Sequence, residues 1–170
     1  MADNKLEETP AIAWLRERGI AFEAFHVVHE MIGKESLCEA FSRQLNAPVS
    51  HTLKTMVFDA ATLPHPVVVV MLGDKKIDNK ALAGVLGVPK AKLCESEKAN
   101  SYTGYRFGGT SPFGMQRHAD LRMFVEKGIA DLSGEFIWVN GGSQTQVVKL
   151  KKQDFFTALP PHTLVTVSAQ

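Results

Sequence analysis

Cysteine is scarce in this sequence: Cys38 and Cys94 are the only two in 170 residues. Cys38 sits in the apolar pattern of Leu37, Ala40 and Phe41, and Cys94 ends the run Ala91-Lys92-Leu93. Two thiols so placed read as free cysteines of a reducing compartment and exclude a disulfide-stapled scaffold. An excess of either charge is also missing. Nineteen basic residues against eighteen acidic ones leave a formal +1, which excludes a protein that grips duplex nucleic acid by net charge alone. A local basic patch over one strand end stays compatible with that balance. Long apolar runs are absent as well. The longest, Val67 to Leu72, falls far short of the roughly 20 residues a membrane helix needs. The opening Met1-Ala2-Asp3-Asn4-Lys5 has neither the apolar stretch nor the small-residue cleavage site of a secretory signal. A cytoplasmic protein with no membrane partner is therefore expected. The six histidines are His26, His29, His51, His65, His118 and His162. The close pair, His26-x-x-His29, lacks cysteine or carboxylate partners at zinc-site spacing, so chemistry without metal or cofactor is expected. No linker, repeat or low-complexity tract divides the chain, and residues 1–170 read as one domain with a continuous core.

What is present is a regular alternation of helix and strand signals. Thr9-Pro10 supplies an N-cap and a first-turn proline for a helix carrying Ala11, Ile12 and Leu15, closed by Gly19. Ile20 to Val28 reads as a strand with Phe22 and Val27 inward. Ser36 caps a second helix to about Leu45, with Leu37, Phe41 and Leu45 on one face. Leu53 to Ala60 alternates, and Pro66 to Leu72 is apolar throughout, as expected of a central strand covered on both faces. A third helix follows Asp78-Asn79 and ends at Gly87. A short strand near Lys92 and a short helix from Glu95 to Ser101 lead into a glycine-rich stretch. Later strands are expected at Arg122–Val125, Glu135–Val139, Gln146–Leu150 and Leu164–Val167, with a helix at Asp154–Leu159. Short strand connections favour a single-domain α/β fold: a mixed, partly antiparallel sheet with surrounding helices, not a doubly wound nucleotide-binding fold.

The stretch Thr103-Gly104-Tyr105-Arg106-Phe107-Gly108-Gly109-Thr110-Ser111-Pro112-Phe113-Gly114 cannot form a regular helix. It can form a tight loop whose backbone N–H groups face a ligand. No lysine follows its last glycine, so it is not a phosphate loop of the Walker type, and it lacks the dinucleotide spacing. Its donors suit either a phosphate or an ester carbonyl, where they would stabilise a developing oxyanion; a plain turn is the bland alternative. Ser111 has no evident histidine–carboxylate relay, so its hydroxyl reads as a positioning donor or a turn former. The segment Ser50-His51-Thr52-Leu53-Lys54-Thr55-Met56 places Lys54 at the start of the strongest early strand. A lysine ammonium there suits a phosphate or a polarised ester oxygen, while a solvated surface lysine is the bland reading. His51 can donate to a phosphate or simply line the sheet end.

Together these segments resemble the YbaK/EbsC family, the prolyl-tRNA synthetase-associated or INS-type editing domain. The matching residues are Lys54-Thr55, Thr103-Gly104-Tyr105, Gly108-Gly109-Thr110-Ser111-Pro112-Phe113-Gly114, and Ile137-Trp138-Val139-Asn140-Gly141-Gly142. The Thr9-Pro10 helix start fits too, so the resemblance covers nearly the whole chain. It implies a trans-editing deacylase that hydrolyses the ester of mischarged tRNA, commonly tRNA(Pro), through its acceptor end. It carries the family's functional lysine onto Lys54 and its pocket glycine onto Gly108, with Gly109 beside it. His51, Tyr105, Ser111, Pro112, Gly114, Asn140, Gly141 and Gly142 are the expected substrate-binding residues. The implied partners are mischarged tRNA and a prolyl-tRNA synthetase, with neither DNA nor membrane. Lys75, Lys76, Lys80 and Arg106 are candidate contacts for the acceptor end. A bound water can attack the ester, or the thiolate of a substrate cysteine can do so; both routes stay open, and neither uses a side-chain nucleophile. A binding module that does not hydrolyse, and a structural domain, are the competing classes. The chain departs from the Cys-tRNA(Pro) deacylase pattern after Gly142. Where that pattern runs basic-Gly-Leu-Asp, this sequence has Ser143-Gln144-Thr145-Gln146-Val147, with Val147 near the acidic position. Cysteine, alanine, serine and non-protein amino acids all stay open as the group removed.

Overall fold

The computed structural model describes residues 6–116 and 118–169; the Met1–Lys5 stretch read above for a leader lies outside them. The first helix, α1 (Pro10–Glu17), begins where expected. Thr9 Oγ1 accepts from the Ile12 N–H at 3.2 Å, Pro10 needs no donor in the first turn, and Ala11, Ile12 and Leu15 are buried. Strand β1 (Phe22–His26) follows, then α2 (Leu37–Leu45). Ser36 and Glu39 close a reciprocal capping box at the start of α2, and Asn46 ends it in the left-handed region at φ 53°.

The remaining strands are β2 (Leu53–Asp59), β3 (Val67–Leu72), β4 (Lys92–Leu93), β5 (Met123–Glu126), β6 (Phe136–Ser143), β7 (Gln146–Lys151) and β8 (His162–Val165). The helices are α3 (Asn79–Leu86), α4 (Ser96–Thr103) and α5 (Lys152–Ala158). The strands divide between two sheets, a partition that the strand signals alone did not reveal. One is antiparallel, in the order β1-β7-β6; the other is mixed, in the order β4-β2-β3-β5-β8. In the second sheet β2 runs antiparallel to β3, with Leu53 opposite Leu72, while β3–β5 and β5–β8 are parallel.

All six side chains of β3 are buried, each contributing about 1.5–3 kcal/mol when fully removed from water. Strand alternation sends them to two cores. Val68, Val70 and Leu72 meet Ile137, Val139, Val148 and Leu150 of the antiparallel sheet, with α1 and α5 closing the space between the sheets. Val67, Val69 and Met71 pack under Leu82 and Leu86 of α3. The outer face of the antiparallel sheet is covered by α2, where Phe41 packs on Val27 and Val147, with Leu37, Leu45 and Trp138 around them. The layer order is thus α2, antiparallel sheet, shared core, mixed sheet, α3. The sheets also touch at one corner, through a parallel bridge between Thr52 and Trp138. Among the described residues, no helix is long and apolar enough to cross a membrane.

Candidate functional site

The glycine-rich loop is pinned against the β6–β7 hairpin. The Asn140 side chain makes the central tie: its Nδ2 donates to the Gly108 carbonyl at 3.0 Å, and its Oδ1 accepts from the Gly142 N–H at 2.7 Å. Beside it, Gln144 Nε2 donates to the Phe107 carbonyl at 2.8 Å. Within the loop the Gly109 N–H donates to the Arg106 carbonyl at 2.8 Å, closing a turn. Gly108 stands at φ 83°, a conformation open mainly to glycine. Gly109 is needed for a different reason. A Cβ there would lie 2.8 Å from the Ser143 carbonyl carbon and 3.0 Å from the Gln144 nitrogen, so loop and hairpin backbones touch directly.

These ties set the direction of one backbone donor. A trans peptide is planar, with its C=O and N–H pointing to opposite sides. Gln144 holds the Phe107 carbonyl toward the hairpin, so the Gly108 N–H of the same peptide points away from Gln144. That N–H has no hydrogen-bond partner among the described residues.

Behind the loop, other expected site residues build the scaffold. Tyr105 is buried and its hydroxyl donates to the Phe113 carbonyl; burial pushes its phenol well above the ordinary value. Ser111 is fully buried, and its Oγ accepts from the Phe113 N–H at 3.2 Å, a local turn bond. Pro112 is buried beside it. Gly114, at φ 67°, lies so close to the start of α1 that a Cβ would sit 2.5 Å from the Pro10 oxygen. Gly141 and Gly142 form an irregularity in β6. The Gly141 carbonyl accepts from Thr9 Oγ1 at 2.6 Å, and Gly142, at φ 93°, has room only because no side chain competes with Thr9 and the Tyr105 ring.

Lys54 lies on β2, joined to this assembly by the Thr52–Trp138 bridge. Lys54 and Asn140 each stand two residues beyond a bridge partner in the same chain direction, so by strand alternation both share the face of that bridge. The Lys54 ammonium donates to the Lys75 carbonyl, in the turn between β3 and α3. A lysine has three N–H donors, so this bond leaves two. Cys38, at the start of α2, lies near that charge, but burial dominates and pushes its thiol up. His51 is engaged at both ring nitrogens, Nδ1 with Ser50 Oγ at 2.9 Å and Nε2 with the Ser133 carbonyl at 2.6 Å. The Ser133 contact requires a proton on Nε2.

Two contributors were not identified from the sequence. His29 sits against Gly108: a Cβ at 108 would lie 2.8 Å from His29 Cε1, with both ring nitrogens flanking that approach. In the sequence His29 is half of the His26-x-x-His29 pair that lacks zinc-site partners, and no spacing signal links it to the loop. In the sequence Gln144 is one of the departures from the Cys-tRNA(Pro) deacylase pattern, yet it orients the Phe107–Gly108 peptide. Val147, the other marked departure, is buried under α2 against Val27 and Phe41.

Residues 34–158 match the model of the aminoacyl-tRNA editing domain family. A proline–tRNA ligase of Nitratidesulfovibrio vulgaris is 27% identical over 106 residues, which is 62% of this chain but 17% of that much longer enzyme. Among solved structures, a proposed trans-editing enzyme for prolyl tRNA synthetase superposes with a TM-score of 0.78 at 16% identity, covering 97% of this chain and all of the other. A scaffold protein used for computational epitope grafting gives a TM-score of 0.79 at 14% identity, covering 95% and 96% of the two chains. At these identities the structural likenesses establish the fold.

Proposed function

The chain belongs to the aminoacyl-tRNA editing domain family, and from that premise we propose that it is a trans-editing deacylase acting on tRNA(Pro) that carries cysteine, alanine or another small amino acid. The observation that carries this reading is the Gly108 N–H, turned away from Gln144 by a fixed peptide and left without a partner among the described residues. A donor held in this way stabilises charge on an ester oxygen as the carbonyl becomes tetrahedral, with little reorganisation at the moment of reaction. Gly108 is the catalytic backbone donor; Gly109, assigned beside it by the family resemblance, closes its turn onto Arg106, and Asn140, Gly141, Gly142, Tyr105, Ser111, Pro112 and Gly114 keep the loop in place.

Lys54 acts in this reading as a positioning charge, using its remaining donors on the terminal phosphate or ribose of the substrate. Water, or the substrate's own thiolate when the amino acid is cysteine, attacks the ester carbon. The ester C–O bond then breaks, and the tRNA hydroxyl takes up a proton on leaving. Val147 stands near the position where the Cys-tRNA(Pro) deacylase pattern has its acidic residue, so the reading extends beyond cysteine to other small amino acids. Selection by side-chain size alone separates groups differing by one methylene by only about 1–3 kcal/mol.

The test is a deacylation panel on tRNA(Pro) charged with Cys, Ala, Ser or Pro, comparing the wild type with Lys54→Ala. Loss of one charge-assisted contact, about 1.5–3 kcal/mol, predicts a fall in kcat/KM of about 10- to 150-fold with the fold retained. Wild-type rates in the variant would remove Lys54 from the mechanism. Inactivity of the wild type on every ester would replace the deacylase with a module that binds aminoacyl-tRNA without hydrolysing it.

A further inference from the structure

Phe107 is the most exposed of the large apolar side chains among the described residues, at 69%, and the only aromatic ring among those that are exposed. Its backbone is nevertheless tightly held. The Phe107 carbonyl accepts from Gln144, the next carbonyl accepts from Asn140, and the turn is closed from Gly109 to Arg106. The ring therefore projects from a fixed loop. Its peptide is also the one that carries the Gly108 N–H, which has no partner among the described residues, so the ring and the donor proposed for the ester oxygen belong to adjacent residues. Arg106, on the other side, is exposed, and the His29 imidazole packs on Gly108.

In an aminoacyl-tRNA, the ester and the last nucleobase are attached to one ribose. A group held one residue from the ester-oxygen donor is thus within a nucleoside's span of that base. A phenyl ring offers a π-face and no hydrogen-bonding group, so it can stack on a base without reading its edge. We propose that Phe107 is the stacking platform for the 3′-terminal nucleobase of the RNA substrate, with Arg106 beside it to meet the backbone phosphates. This assignment rests on the deacylase reading for its ligand and names the nucleotide contact of the same site.

The experiment compares two fluorescently labelled RNA hairpins with an unpaired 3′ end, one ending in adenosine and one with an abasic terminal residue, by anisotropy. Neither is aminoacylated, so binding is read without hydrolysis. The wild type is expected to bind the adenosine-ended hairpin about tenfold more tightly, the usual worth of one base–aromatic stack. Phe107→Ala and Phe107→Leu lose that preference, because leucine restores apolar area but no π-face, while Phe107→Tyr retains it. Equal affinity of the wild type for both hairpins, or a preference that survives in Phe107→Ala or Phe107→Leu, overturns the platform. Loss of synthetase binding in Phe107→Ala, with the base preference intact, likewise overturns it and assigns the ring to a protein interface. Deacylation of charged tRNA, run in parallel, separates the two readings. A hydrolysing wild type without a Phe107-dependent base preference removes the platform alone. A non-hydrolysing wild type with that preference supports the platform and removes the deacylase.

Discussion

Replacing Gly109 by alanine tests how closely the loop approaches the hairpin. Gly109 has no positive φ, so backbone strain does not enter, and the effect is one of space. The new Cβ would lie 2.8 Å from the Ser143 carbonyl carbon and 3.0 Å from the Gln144 nitrogen, both backbone atoms that cannot rotate aside. The protein has two responses. It can keep the contact and accept overpacking, at about 1–3 kcal/mol. Alternatively, the hairpin retracts and gives up the Asn140–Gly108 and Gln144–Phe107 hydrogen bonds, at about 0.5–1.5 kcal/mol each. Because the cheaper response prevails, the loss is bounded at about 3 kcal/mol. For a domain of this size that lowers the thermal midpoint by roughly 2–12 °C. Urea unfolding of Gly109→Ala, Asn140→Ala and the double variant separates the two responses. Retraction predicts that the double variant loses clearly less than the sum, since the Asn140 bond cannot be lost twice. A single variant within about 0.5 kcal/mol of the wild type would refute the close approach. Strict additivity would refute retraction.

Two further predictions concern titrating groups. Tyr105→Phe removes the donor to the buried Phe113 carbonyl and should cost about 1–3 kcal/mol in urea unfolding. Burial raises the folded pKa of this phenol above its ordinary value of 10, so its contribution is complete below pH 10 and declines as pH rises from there through the folded value. Alkaline destabilisation should accordingly be shallower in Tyr105→Phe than in the wild type, and parallel slopes would contradict the shift. On the surface, Lys98 Nζ lies 2.6 Å from Asp59 Oδ2, and this hydrogen bond, more than any other contact, holds the Asp59 carboxyl below its ordinary 3.8. A lowered carboxylate stabilises above its unfolded value and loses that contribution as pH falls through the folded one. Lys98→Ala should therefore differ from the wild type at neutral pH and low salt, with the two unfolding midpoints converging in acid and in high salt. A gap that persists in strong acid would show that the pair is not its source.

Much of the fold was legible because its signals are local. Thr9-Pro10, Ser36 with Glu39, and Asp78 satisfy exposed N–H groups at helix starts, a requirement each helix imposes on the residues before it. The unbroken apolar run of β3 reads as a strand covered on both faces, as it is in the fold. Boundaries moved where distant partners decide them. β6 was expected to end at Val139 yet runs to Ser143, because Thr9, Asn140 and Gln146 satisfy the polar groups around the Gly141-Gly142 irregularity. β8 was expected at Leu164–Val167 but spans His162–Val165. There the parallel pairing with β5 sets the register, and the Val167 N–H is taken instead by the buried Glu126 carboxylate.

The same division holds for the candidate site. By itself the sequence determined that a lysine opens a strand, that a glycine-rich loop must turn, and that three ordered motifs match one editing family, because turn chemistry and motif order are properties of neighbouring residues. Only the tertiary structure decided that Asn140 and Gln144 reach across to fix the Phe107–Gly108 peptide, that His29 rests on Gly108, and that both ring nitrogens of His51 are engaged. It also decided that Val147 lies in the packing beneath α2. Each of these contacts joins segments far apart in the chain. Their geometry comes from the packing of two sheets at a corner, and no spacing along the sequence encodes it.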